Sequence, residues 1–333
     1  MKTPVCAALT LLLVVALGPL PGRAGGEGPR IQSILTAVRA GDPASLARAE
    51  DELVALGAPA VPALTRALSA ESDPGRRGLL RGALFRLRWR VNPRALVEKW
   101  LRSRLSADQL RQAALWPLDS DALAASLPAW RFYAVRFRQW PVGVRVPAPL
   151  EASNVFAVSG RGQVKLLATA EALESFFRSA LPRAAGPQAQ KEALLAWLTL
   201  SPEFSQDGFF RFTLSKTGPS LTRNGPRTRV RGRVEVVPQA GNEGFIQADL
   251  SFDESGRLLD VQEQRQVKAG VRPICQATLL LHPEPLVRRM AERDLLVLGP
   301  LALPYLEERR AQASPRLRQA IDSIRARIRA GQR

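Results

Sequence analysis

The chain carries 48 lysines and arginines against 30 aspartates and glutamates over 333 residues, a formal net charge of +18. One histidine and two distant cysteines exclude a histidine-rich metal or catalytic constellation and any paired-cysteine zinc site. The positive balance favours anionic polymers or membrane surfaces as partners, although 42 of the 48 cations are arginine, which a GC-rich coding sequence also produces.

Residues 1–24 have the layout of a secretory leader: Lys2, an apolar run from Val5 to Leu17, and Gly22-Arg23-Ala24 as a small-x-small cleavage site. The run is short for a bilayer span. The expectation is therefore an exported protein, periplasmic or extracellular, cleaved near Ala24 and attached to a membrane only if the leader stays. Cys6 would leave with the leader, and Cys275, within the apolar run ending at Leu281, then reads as a buried structural thiol. His282 precedes Pro283 and reads as the end of a helix.

Residues 25–127 read as helical from Ile31 to Leu127, broken at Gly41-Asp42-Pro43, Gly57-Ala58-Pro59, Asp73-Pro74 and Asn92-Pro93. Asp42 and Asp73 suit N-caps because the following proline lacks only a donor that would be orphaned anyway. Ser106 and Gln109 fit a capping box. Residues 128–270 change period: strands are predicted over 131–137, 154–158 and 163–168, helices over 170–181 and 188–200, then a meander over 208–214, 227–237, 245–252 and 257–267. Residues 271–333 read as helical again, with Ser314-Pro315 opening the last long helix. The fold class expected is α+β, with helical hairpins at both ends and a central antiparallel sheet with two helices.

One motif occurs twice, 242 residues apart: Asp42-Pro43, Ala49-Glu50, Leu53, Leu56-Gly57, Ala60, Pro62 and Leu64 return as Glu284-Pro285, Ala291-Glu292, Leu295, Leu298-Gly299, Ala302, Pro304 and Leu306. Each copy reads as helix, glycine stop, and second helix with proline in its first turn. The pattern resembles the helical hairpin of the HEAT family, including the HEAT-like repeats first described around phycobilisome lyases. The resemblance covers roughly 60 residues near the start and 50 near the end, and implies a binding or scaffolding architecture rather than a chemistry. Since roughly three stacked repeats are needed to bury a continuous core, the single C-terminal copy is expected to lean on the N-terminal repeats or on the sheet.

Residues that could carry chemistry are few. Lys216-Thr217-Gly218 matches the KTG triplet of serine β-lactamases, but no Ser-x-x-Lys occurs, so a turn is expected. Asp249, Asp253, Glu254, Asp260 and Glu263 gather on the last two strands and would serve a two-carboxylate hydrolase. Gln247, Asp249, Ser251 and Asp253, however, form a polar face opposite Ile246, Ala248, Leu250 and Phe252, which suits solvated or arginine-paired carboxylates. Arg227, Arg229, Arg231 and Arg233 occupy alternate positions of one strand, aligning their guanidiniums on one face about 6–7 Å apart. Such a row would take repeating phosphates, sulfates or carboxylates, or pair with the carboxylates just named. Arg77, Arg81 and Arg88 share one face of the helix after Pro74, within about 40°, and Trp89 and Trp100 lie among further arginines.

The leading expectation is an exported, non-enzymatic scaffold that binds another envelope or extracellular protein, without metal or cofactor. The alternative is a binder of anionic polymer, an envelope polysaccharide before a nucleic acid because of export, acting through Arg227, Arg229, Arg231, Arg233, Arg77, Arg81 and Arg88. A hydrolase using the acids of the central sheet is a third alternative.

Overall fold

The computed structural model describes residues 27–38, 42–137, 147–151, 153–205, 211–237, 243–268 and 277–331. The leader, Cys6 and Cys275 lie outside the described residues.

The N-terminal part is built from α1 (Glu27–Ala37), α2 (Pro43–Ala55), α3 (Val61–Ala70) and α4 (Pro74–Trp89), followed by α5 (Pro93–Arg102) and α6 (Ala107–Gln112). Asp42 caps α2 and Asp73 caps α4 through bonds from the Ala44 and Arg76 amides, each ahead of a proline. The Ser106–Gln109 capping box opens α6. Ile31, Leu35, Leu53, Leu64 and Leu80 close a helical core between α1 and α4, each burial contributing about 1.5–3 kcal/mol relative to exposure.

Helix does not continue to residue 127. Ala113–Leu118 forms strand β1, pairing antiparallel with β2 (Trp130–Phe137), and α7 (Asp121–Ser126) lies between them. The boundary expected near residue 128 therefore falls inside a sheet. The apolar run Ala113 to Leu118 has no period of its own, and the pairing with β2 decides its conformation. Strands β3 (Ser153–Ser159) and β4 (Val164–Leu167) complete a first sheet in the order β1-β2-β3-β4.

After α8 (Ala170–Ala180) and α9 (Pro187–Leu200), a second antiparallel sheet follows: β5 (Arg211–Leu214), β6 (Ser220–Asn224), β7 (Arg227–Val237), β8 (Glu243–Phe252) and β9 (Leu258–Lys268). Its order is β5-β7-β8-β9, with β6 also on β7. Two sheets thus stand where one was expected. Strand β6 has no apolar alternation to betray it; it is held by a tight turn at Gly225, φ 59°. Lys216-Thr217-Gly218 is indeed a turn, with Gly218 at φ 65° donating to the Ser215 carbonyl.

The layers follow from the two faces of each sheet. On one side of the first sheet Tyr133, Val135, Phe156 and Val158 meet Val97 and Leu101 of α5. On the other, Phe132, Val155 and Ala157 join a core with Phe177, Leu194, Trp197 and the inner face of the second sheet, Val230, Val234, Ile246, Leu250 and Phe252. Helix α9 approaches β7 closely because residue 232 is glycine: a Cβ there would stand 2.8 Å from Leu194 Cδ2. The outer face of the second sheet carries no covering layer among the described residues.

At the C-terminus α10 (Pro285–Leu298), α11 (Leu303–Ala311) and α12 (Pro315–Ala330) enclose a core of Ala291, Leu295, Leu306, Ile321, Ile324 and Ile328. The second motif copy thus takes α12 as its packing partner; among the described residues its core includes none from the N-terminal repeats or the sheet, where support was expected. The two copies have the same form: a helix, a glycine at positive φ (Gly57 77°, Gly299 55°), a short 3-10 turn and a second helix. His282 follows a 3-10 turn over Ala277–Leu281 and accepts at Nδ1 from the Glu284 amide.

Candidate functional site

A dense polar cluster lies where α4 crosses the start of α7 and strand β2. Glycines 75, 78 and 82 leave one side of α4 bare, and carboxylates approach it there. A Cβ at Gly82 would fall 2.5 Å from Glu50 Oε2, and one at Gly78 would fall 3.4 Å from Asp119 Cβ. Arg77 and Arg81, one turn apart, reach toward the segment Asp119-Ser120-Asp121, where Ser120 caps α7.

Arg77 donates to Asp121 Oδ1 at 3.1 and 2.9 Å, and also to the carbonyls of Leu68 and Glu71 at the end of α3. Arg81 donates through Nε to Asp119 Oδ2 at 2.7 Å and bonds Asp121 as well. Arg131, whose side chain is 8% exposed, donates to the second oxygen of Asp119 at 2.5 Å and to the Gly78 carbonyl at 3.3 Å. Asp119 is therefore clamped between two arginines. Burial works to discharge Arg131, but Asp119 and Glu50 outweigh it and hold the guanidinium charged. Partial burial would raise Asp121, and the bonds from Arg77 and Arg81 bring it below the ordinary value.

Two hollows flank this cluster. The smaller, about 210 Å³, is lined by Glu50, Asp119, Arg94, Tyr133, Leu46 and Pro117 among others. Burial, reinforced by the Glu50 charge, pushes the Tyr133 hydroxyl well up, so it stays protonated. Glu50 accepts from Arg86 at 3.3 Å, and Arg86 also holds Asp51 at 2.6 Å. The larger is an open cleft of about 620 Å³ between α4 and the second sheet. Arg77, Arg81, Asp119 and Asp121 line one wall, and Leu195, Leu198, Phe212, Leu214 and Val234 the other. Leu214 is 42% exposed at its rim.

The arginines picked out from the sequence are divided by the fold. Arg77 and Arg81 enter the ion cluster. Arg88 stays two turns away, exposed, over the Trp89 ring at 5.2 Å. Arg229, Arg231 and Arg233 do share the outer face of β7 with Arg227, while Val234 faces the cleft on the opposite side. Asp249, on neighbouring β8, accepts from both Arg229 at 3.1 Å and Arg231 at 2.8 Å. Arg233 lies 3.3 Å from Glu235 and stacks on Phe245 at 4.0 Å. Arg227 is exposed.

Of the other acids named from the sequence, Glu254 is exposed in the β8–β9 turn and the rest are engaged. Glu263 faces inward and accepts from Trp197 Nε1 at 2.8 Å and from Arg265. Asp253 accepts from Ser255 and Arg257 in the β8–β9 turn, and Asp260 lies 3.4 Å from Arg178. Sequence reasoning passed over Asp119, Asp121, Arg131 and Tyr133. Asp119-Ser120-Asp121 does carry a helix-start signature, and Glu50 belongs to the repeated motif, but neither signal names the partner.

No group of three or more His, Cys, Asp or Glu side chains among the described residues is arranged to hold a metal ion. No described helix is by itself long and apolar enough to cross a membrane; α2 and α3 pass on length and composition only as a pair bent by 99°. No family model, curated protein or solved structure matches the chain.

Proposed function

We propose that this is an exported, non-enzymatic interaction protein with HEAT-like hairpins at both ends, and that the cleft between α4 and β5 takes an extended segment of a partner protein. The supporting observation is the pairing of unlike walls: an apolar one ending in the exposed Leu214, and an ionic one whose charges already hold each other in place. A preformed cleft of this kind binds at little ordering cost. Ser215 donates to the Arg233 carbonyl and Thr213 stands opposite Glu235, which turns the backbone N–H and C=O of Leu214 away from β7. A partner strand bonding there would lay its alternate side chains on the apolar wall.

Panning a phage-displayed peptide library on the purified protein, then titrating the enriched peptides, tests this reading. Enriched peptides should carry alternating apolar residues, and Leu214→Asp and Leu214→Pro should both abolish their binding while leaving circular dichroism unchanged. Peptides that bind both variants as well as the parent would sink the proposal.

A second reading, binding of anionic polymer, is favoured by one observation: a single carboxylate, Asp249, serves both Arg229 and Arg231 on an uncovered face that also carries Arg227.

A further inference from the structure

Helix α10 exposes three large apolar side chains, Leu286 at 56%, Met290 at 53% and Val297 at 79%. At about 100° per residue they fall within roughly 40° of one another, on the side of the helix away from the buried Ala291 and Leu295. Arg289 and Arg293 continue the same exposed arc. Neither makes a hydrogen bond or ion pair with any described residue, and no acid lies in the arc.

The repeat shows that this face is not demanded by the fold. The matching positions of α2 are Ala44, Arg48 and Ala55 for the apolar three, and Ala47 and Asp51 for the arginines. The same hairpin geometry is thus built in α2 with small or polar residues facing outward, one of them an aspartate held by Arg86.

We propose that this face of α10 seats the protein on an anionic lipid surface, with Leu286, Met290 and Val297 entering the headgroup boundary and Arg289 and Arg293 meeting lipid phosphates. A helix lying in the interface needs an apolar stripe flanked by cations and no complementary shape on the other side. Three side chains supply only part of the roughly 800 Å² per partner that a stable protein interface needs. A second copy of the chain would bring Arg289 and Arg293 against their own kind, whereas an anionic bilayer offers both the apolar and the charged complement.

The test is flotation of the full chain with vesicles of phosphatidylcholine alone and of phosphatidylcholine mixed equally with phosphatidylglycerol. All variants carry the same N-terminus, so any leader contribution is common to them. The parent should bind the anionic vesicles selectively. Arg289→Ala with Arg293→Ala should weaken that binding by roughly 25-fold at low salt, as expected for two arginines at an anionic surface. Leu286→Ala with Met290→Ala and Val297→Ala should remove most of the binding to the anionic vesicles. Equal binding by parent and arginine variant, or no selectivity for anionic vesicles, overturns the proposal. So does a parent that ignores vesicles but self-associates through α10 in crosslinking. The arginine variant removes no hydrogen bond or ion pair among the described residues, so it remains informative even if the apolar variant is unstable.

Discussion

Glu50 and Glu292 hold the same position in the two copies of the motif, and each reaches an arginine two helices further along the chain: Arg86 of α4 at 3.3 Å and Arg327 of α12 at 3.1 Å. The motif's Ala-Glu pair thus places a small residue in the core and a carboxylate beside it, aimed at the helix that closes the hairpin. The two pairs differ in surroundings. Glu50 and Arg86 are 11% and 13% exposed, whereas Glu292 and Arg327 are 42% and 52% exposed.

That difference sets the cost of breaking each pair. Glu50→Gln strips a partner from buried Arg86 and weakens the field on Arg131, a loss of about 3 kcal/mol, at the low end for a broken buried pair because Asp51 remains. Glu292→Gln should cost less than about 1 kcal/mol, as exposed pairs do. Urea denaturation followed by circular dichroism measures both, and equal costs would show that burial of the first pair has no energetic weight.

Stability should respond to acid through two carboxyls of opposite sign. Arg310, opposed by partial desolvation and helped by Arg325, holds Asp322 below its ordinary value. Below about pH 4 the unfolded chain therefore takes up a proton there that the folded chain resists, and stability falls with falling pH. Burial pushes Glu203 up despite the bonds from Arg136. The folded chain keeps that proton to higher pH than the unfolded one, so its contribution declines as pH rises above about 4.3. Asp322→Asn should flatten the acid limb of the stability profile, and Glu203→Gln should remove the decline above it. Profiles parallel to the parent's in both variants would contradict these assignments.

The arginine row on β7 offers a test of the polymer reading. If Arg229 and Arg231 bind repeating anions, the parent should be retained on immobilised dextran sulfate at low salt and released at high salt. Arg229→Gln with Arg231→Gln should elute earlier. Coincident elution would leave the row as a ladder organised around Asp249.

Much of the fold was legible because it rests on local periods. Strand β7 spans Arg227–Val237 as its alternation demands, and α8 and α9 begin and end within a residue of their expected limits. The strand β1 was missed because Ala113 to Leu118 is apolar without alternation, and β6 because Ser220 to Asn224 is polar without it. In both cases the neighbouring strand supplies the hydrogen bonds that local pattern does not announce.

The sequence by itself determined the two motif hairpins, their glycine stops, the Asp42 cap of the first, the α+β class and the shared face of Arg227, Arg229, Arg231 and Arg233. These depend on backbone geometry within a few residues. Only the tertiary structure decided that Asp119 is gripped by Arg81 and Arg131, that Arg88 stands apart from Arg77 and Arg81, and that α10 is left with Leu286, Met290 and Val297 in the open. Charges find partners through space, and a helix face is covered or bare according to what packs beside it. Neither property is written in the spacing of residues along one element.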